Sequence, residues 1–148
     1  MDICIASTGQ LDLLYTITKN EFGSFNSPLV YQDHVYWAGA DKHIHCLDLQ
    51  KLQIIWSHSP DYTRIFSSPV IINNSLYIGT NAGRLHELDP HTGESRGYFQ
   101  ARERITNQLI YNNTTNTYFL PTYANEIISL VKNVSGTRHD ISPRPRSQ

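Results

Sequence analysis

Long apolar runs are missing from this chain, and nothing in it approaches the roughly 20 consecutive apolar residues of a membrane-spanning helix. Cysteine is scarce: Cys4 and Cys46 are the only two, too few for the disulfide framework of a small secreted domain. The opening MDICIASTGQ has neither the positive n-region nor the apolar stretch of a signal peptide. A reduced, cytoplasmic setting is therefore expected, in which the Asn-x-Ser/Thr sequons at Asn73, Asn112, Asn113 and Asn133 stay unglycosylated. Excess charge of one sign is absent as well. A formal net charge of −1 gives no global field to recruit nucleic acid or an anionic membrane, so neither is expected as a partner. No Ser/His/Asp elbow, phosphate loop, CxxC pair or HExxH helix occurs, which removes the readily recognised hydrolase, nucleotide and zinc chemistries.

Helical periodicity is lacking too, and in its place are short runs rich in β-branched and aromatic residues, punctuated by Gly, Pro, Asn and Asp. Pro28–Tyr31, His34–Trp37, Ile44–Leu47 and Gln53–Trp56 read as four short antiparallel strands. This set recurs. Ser27-Pro28-Leu29-Val30 returns as Ser68-Pro69-Val70-Ile71, Val35-Tyr36-Trp37 as Leu76-Tyr77-Ile78, and Ile44-His45-Cys46-Leu47-Asp48 as Leu85-His86-Glu87-Leu88-Asp89. All three pairs share one offset of 41 residues.

The second copy divides into strands at Pro69–Ile72, Leu76–Gly79, Arg84–Leu88 and Glu94–Phe99. Asn73-Asn74 and Asn81-Ala82-Gly83 suit tight hairpins, and Asp89-Pro90-His91-Thr92-Gly93 suits a Pro-initiated turn closed by Gly. A worn third copy aligns Asn107–Asn113 with Ser68–Asn74. Its first hairpin is lengthened by two residues near Thr114–Asn116, and Thr117–Phe119 and Glu126–Leu130 follow as strands. Upstream, Ile5–Gln10 answers Asp89–Glu94, so a half unit precedes the whole ones.

Tandem four-stranded units of about 40 residues are the signature of propeller blades, each of which needs neighbours to bury its faces. The expected fold is all-β: a partial β-propeller of about three four-stranded antiparallel blades. Its parts are a half blade at 1–20, blades at 25–60 and 66–101, an incomplete blade at 105–132, and a disordered tail at 133–148. That tail is rich in Pro, Ser and Arg and has no apolar period.

Phe66-Ser67-Ser68-Pro69-Val70, Leu76-Tyr77-Ile78-Gly79-Thr80, Gly83-Arg84-Leu85-His86-Glu87-Leu88-Asp89 and Thr92-Gly93 together resemble the repeat of pyrroloquinoline-quinone (PQQ) enzymes. That pattern runs Ser-Ser-Pro, Tyr-x-Gly, Gly-x-Leu-x-Ala-x-Asp, Thr-Gly and a terminal Trp, and the resemblance extends over about Asp2 to Leu130. It implies structural roles for Pro28, Tyr36, Asp48, Trp56, Pro69, Tyr77, Gly79, Gly83, Asp89, Thr92 and Gly93. It also implies that the terminal aromatic packs on the following blade. Departures are plain: the Trp survives only as Trp56, with Tyr15 and Tyr98 or Phe99 near the equivalent places, and Lys51-Leu52 replaces Thr-Gly.

The resemblance does not carry quinone chemistry with it. Quinone dehydrogenases hold cofactor and calcium on the axis of a complete ring, often beside a Cys-Cys pair. Here the cysteines are 42 positions apart, and no acidic cluster has calcium-ligand spacing. No cofactor is expected. The one metal candidate is Asp41-x-His43-x-His45, whose alternate residues share a strand face. His45 recurs as His86 whereas Asp41 and His43 map to Ala82 and Arg84, so packing is the stronger reading.

The functional expectation is a non-catalytic propeller module or scaffold, meeting a protein partner or a second copy through open blade edges. One alternative is a fragment of the propeller of a larger enzyme, of the adenylate-forming, β-alanine-activating type. Another is a relative of the outer-membrane assembly lipoprotein propeller, against which the absent signal peptide and lipobox weigh.

Overall fold

The computed structural model describes residues 9–14, 16, 23 and 26–133. Most of the half blade at 1–20 and all but the first residue of the tail at 133–148 therefore lie outside the described residues.

Eleven strands and no helix occur among the described residues, arranged as three antiparallel sheets. The first sheet holds β1 (Leu29–Tyr31), β2 (His34–Ala38), β3 (Ile44–Asp48) and β4 (Gln53–His58) in sequence order. The second repeats this with β5 (Val70–Ile72), β6 (Ser75–Gly79), β7 (Arg84–Leu88) and β8 (Ser95–Gln100). The third comprises β9 (Ile110–Asn112), β10 (Thr117–Pro121) and β11 (Ile127–Val131). These are the three blades of the repeat, each a meander joined by short turns.

Turn chemistry sets the register. Asn73 and Asn74 both take positive φ, 50° and 64°, the geometry of a two-residue hairpin whose twist matches its strands. In the third blade, Asn112 pairs with Thr117 where Ile72 pairs with Ser75, so its loop is longer by the two expected residues. The pairing corrects the alignment of β9 by one position. Ile110 faces Phe119 as Val70 faces Tyr77, so Ile110 answers Val70 rather than Ile71. A one-residue slip matters because it would turn every side chain of the strand to the opposite face.

The blades stack through alternate residues. On β6, Leu76 and Ile78 look back to the first blade, where they join Tyr36, Ala38, Ile44, Cys46, Ile65 and Leu88 in one core. Tyr77 looks forward and joins Ile72, Leu85, Ala101, Ile105, Leu109, Tyr118 and Leu120 in a second. Each fully buried Ile or Leu in these seams contributes roughly 1.5–3 kcal/mol. Gly79 shows how close the blades come: a Cβ there would lie 2.2 Å from Cγ2 of Ile105. The third and fourth strands slip register at the same place in both complete blades, between Cys46 and Leu47 and between Glu87 and Leu88. The pairings of second and third strands, β10 with β11 in the third blade, run without such a slip in all three blades.

Candidate functional site

The seam between the first two blades is closed by Trp56. Its ring lies on Gly93, where a Cβ would be 2.5 Å from Cε3, and its indole N–H donates to the Pro90 carbonyl at 3.2 Å. The Tyr36 hydroxyl donates to the same carbonyl at 2.9 Å. Gly93, at φ 77°, is thus glycine for two reasons: left-handed backbone and a ring against its Cα. Burial drives the Tyr36 phenol well above its ordinary pKa and raises the neighbouring Cys46 thiol to about 11, so that thiol is not a ready nucleophile.

The other repeat residues act on the backbone. Asp48 accepts from the N–H groups of Gln50 and Lys51, and Asp89 from that of His91, so each carboxylate caps the turn after its third strand. These backbone bonds hold both carboxyls below the usual carboxylate range. The Thr92 hydroxyl accepts from the Glu94 N–H. Gly83 takes φ 79°, and a Cβ there would sit 2.8 Å from the Glu103 carbonyl oxygen. The Ser-Ser-Pro signature also acquires a role. The Ser67 hydroxyl accepts from Gly79 N–H and donates to its carbonyl, while Ser68 Oγ accepts the Ser27 N–H of the preceding blade. Pro69 is fully buried and Pro28 is exposed, each one residue ahead of a first strand.

Asp41, His43 and His45 do come together, as a hydrogen-bonded group. Asp41 Oδ2 accepts from His45 Nε2 at 2.8 Å, and His45 Nδ1 meets Ser57 Oγ at 2.7 Å. The His43 ring stacks on that of His45 at 5.9 Å and turns Nδ1 to the Asp41 carbonyl. Both nitrogens of His45 are engaged, so the group is a strut within the first blade. Among the described residues, no set of three or more His, Cys, Asp or Glu side chains is placed to hold a metal ion.

The counterpart His86 reaches a carboxylate that sequence reading missed. Asp61, in the linker between blades, accepts from His86 Nε2 at 2.9 Å, from Thr80 Oγ1 at 2.6 Å and from Thr63 Oγ1 at 2.5 Å. Its side chain is only 2% exposed. Burial pushes the Asp61 carboxyl up, but its hydrogen bonds from Thr63, Thr80 and His86 prevail and the net shift is downward. Burial also lowers His86, against the pull of Asp61, so the ring stays neutral.

The second seam is built differently. Cys46 faces Trp56 across β3 and β4, and at the matching place Glu87 faces Gly97. Gly97, rather than Tyr98 or Phe99, therefore stands where Trp56 stands, and a Cβ there would meet nothing within 4 Å. Tyr98 instead lies 5.5 Å from His86 and is 46% exposed, while Phe99 packs into the second core. Between the second and third blades lies a pocket of about 410 Å³ lined by Ser75, Tyr77, Glu87, Tyr111, Tyr118 and Lys132 among others. Glu87 Oε2 accepts from Ser75 Oγ at 2.6 Å, and Oε1 is paired with the Lys132 ammonium. Burial raises the Glu87 carboxyl, yet the bonds from Lys132 and Ser75 outweigh it and hold it low.

Known proteins share this stacking. BamB of Moraxella catarrhalis superposes with a TM-score of 0.60 at 20% identity, over 73% of this chain and 33% of that one. The chain has the stacked-blade fold of a β-propeller. Quinohemoprotein alcohol dehydrogenase of Comamonas testosteroni matches with a TM-score of 0.57 at 17% identity, over 67% of the arc and 17% of the enzyme. By sequence, the arc is 26% identical over 87 residues to the outer membrane protein assembly factor BamB of Escherichia coli, 59% of the arc and 21% of that protein. It thus spans about a fifth of the curated relatives it matches. No family model matches it.

Proposed function

We propose that this propeller arc is a non-catalytic interaction module that binds protein through an uncovered blade flank. The observation that carries the reading is the outward side of the third blade. In the first two blades the counterparts of Ile127, Ile44 and Leu85, are buried beneath the next blade. On the third, Ile110, Ile127 and Val131 are 56%, 69% and 74% exposed. Apolar surface gathered on one sheet face suits a partner that brings a matching β-sheet face, a second copy being the simplest. The groups best suited to acid–base chemistry, His45, His86 and Asp61, are tied into structural hydrogen bonds, which supports a binding role over an enzymatic one. The cytoplasm is the proposed compartment, on the low cysteine count and the buried, unpaired Cys46 thiol.

Sedimentation velocity across the micromolar range tests the flank. The wild type should associate, and Ile127→Lys should shift it to monomer. A sharp wild-type monomer with cooperative melting would overturn the reading.

A role in protein assembly outside the cytoplasm is the second reading, favoured by one observation: the curated relatives are named outer membrane protein assembly factors. Cell fractionation of the native protein separates the two compartments.

A further inference from the structure

We propose that the pocket between the second and third blades is a recognition site for a primary alkylammonium group, whose place Lys132 takes in the free protein. The pocket joins three features that such a cation needs. Glu87 supplies an ionised carboxylate at its inner wall, with a side chain only 17% exposed. Its Oε2 is fixed by Ser75, itself held by Arg96 Nη1 at 2.8 Å, which leaves Oε1 directed at the cation. Three phenol rings wall the site: Tyr77 and Tyr118 stand 5.6 Å apart and Tyr111 and Tyr118 4.8 Å apart, each pair tilted. An ammonium beside such rings gains cation–π attraction, and Lys132 Nζ lies 5.9 Å from the Tyr77 centroid.

The present occupant is replaceable. Lys132 follows β11 and its side chain is 50% exposed, and an ion pair with one half-solvated member is weakly held. Ammonium is favoured over a quaternary amine because Oε1 accepts a hydrogen bond, which only an N–H cation donates. A volume of about 410 Å³ falls at the lower end of small-ligand pockets, which span roughly 300–1,000 Å³. The site owes its existence to the missing indole, since Gly97 faces Glu87 where Trp56 faces Cys46. The open flank lies on the other face of the third blade, and Val131 borders both it and the pocket.

The test uses the full chain carrying a ¹³Cε label on lysine. It is titrated with n-butylammonium chloride and, separately, with a hexalysine peptide, against sodium chloride of equal ionic strength. The Lys132 signal should move to the position of a solvated lysine as butylammonium saturates the site. Lys132→Ala should bind butylammonium severalfold more tightly than wild type, and Glu87→Gln should lose saturable binding. Saturation by both probes assigns the site to ammonium on any carrier, and saturation by butylammonium alone assigns it to small amines. A Lys132 signal that does not move overturns the proposal without reference to any variant. Peptide binding that survives Glu87→Gln in a folded protein overturns it too, because overall charge would then be the cause.

Discussion

Where the first complete blade meets the second, an indole fills the seam; where the second meets the third, a carboxylate and three phenols border open space. Both seams share the same backbone plan, the same tyrosine on the second strand and a buried linker isoleucine, Ile65 in the first and Ile105 in the second. They diverge at one cross-strand position, Trp56 against Gly97, and at its neighbour, Cys46 against Glu87. Docking by a large aromatic closes the first seam over a buried, unreactive Cys46 thiol. Removing that aromatic permits a polar, ionised group in the second, because the carboxylate finds Ser75 and Lys132 instead of an apolar lid. Structural economy in one seam and binding capacity in the next thus come from a single change in side-chain volume.

The comparison breaks most sharply at Trp56. Trp56→Ala should cost about 3–5 kcal/mol in urea unfolding, the usual penalty for truncating a packed large aromatic. A loss under about 1 kcal/mol would mean the indole does not hold the blades together. Gly93→Ala should cost about 1–3 kcal/mol, from left-handed strain and collision with the indole. Combined with Trp56→Ala, its cost should shrink to the strain alone, and simple additivity in that double-mutant cycle would sink the contact.

A smaller effect concerns two histidines, His86 buried and His58 half-buried. Burial lowers the pKa of His86 and His58 from the ordinary value of about 6.5. Below that pH the unfolded chain binds more protons than the folded one, so stability should decline as pH falls from about 6.5. Asp61, held low in the fold, adds its own loss only below the ordinary carboxylate range near 4. His86→Gln should flatten the first stage and leave the second, as read by thermal melts from pH 7 to pH 3. An unchanged first stage would acquit His86.

Smallest of all is the change at Lys42, which takes φ 71° at the turn where the next blade has Gly83 at φ 79°. Lys42→Gly should stabilise by at most about 1 kcal/mol, because relief of strain is partly offset by entropy gained in the unfolded chain. Destabilisation beyond that range would show that the two turns are not equivalent.

Much of the fold was legible in the sequence because the offset of 41 residues preserves both strand periodicity and turn chemistry, so Tyr36 predicts Tyr77 and Asp48 predicts Asp89. The third blade was legible as strands but not in register, since an enlarged hairpin hides where the count should slip. Asp61 escaped notice because it has no recurring partner: Asn20 and Ala101 hold the corresponding linker positions, and its bond to His86 spans 25 residues. In the first blade the same histidine is served by Asp41, four residues away, so one tertiary need is met from two unrelated positions. Gly97 was passed over because two aromatics, Tyr98 and Phe99, follow it directly, and only the cross-strand pairing with Glu87 places it under the missing indole.

The register slips in the two complete blades carry a consequence for handling the protein. A bulge beside an outermost strand increases its twist and spoils it as a template for another chain. The outer pairings of the first and second blades have this protection. The regular ladder of β10 with β11 does not, and β11 has exposed Ile127 and Val131 at its two ends. Fibril growth in concentrated or long-stored samples should therefore nucleate on this strand and be seeded by a peptide spanning residues 127–131. A proline at Ser129, midway along it, is the substitution with which to lengthen the lag before turbidity.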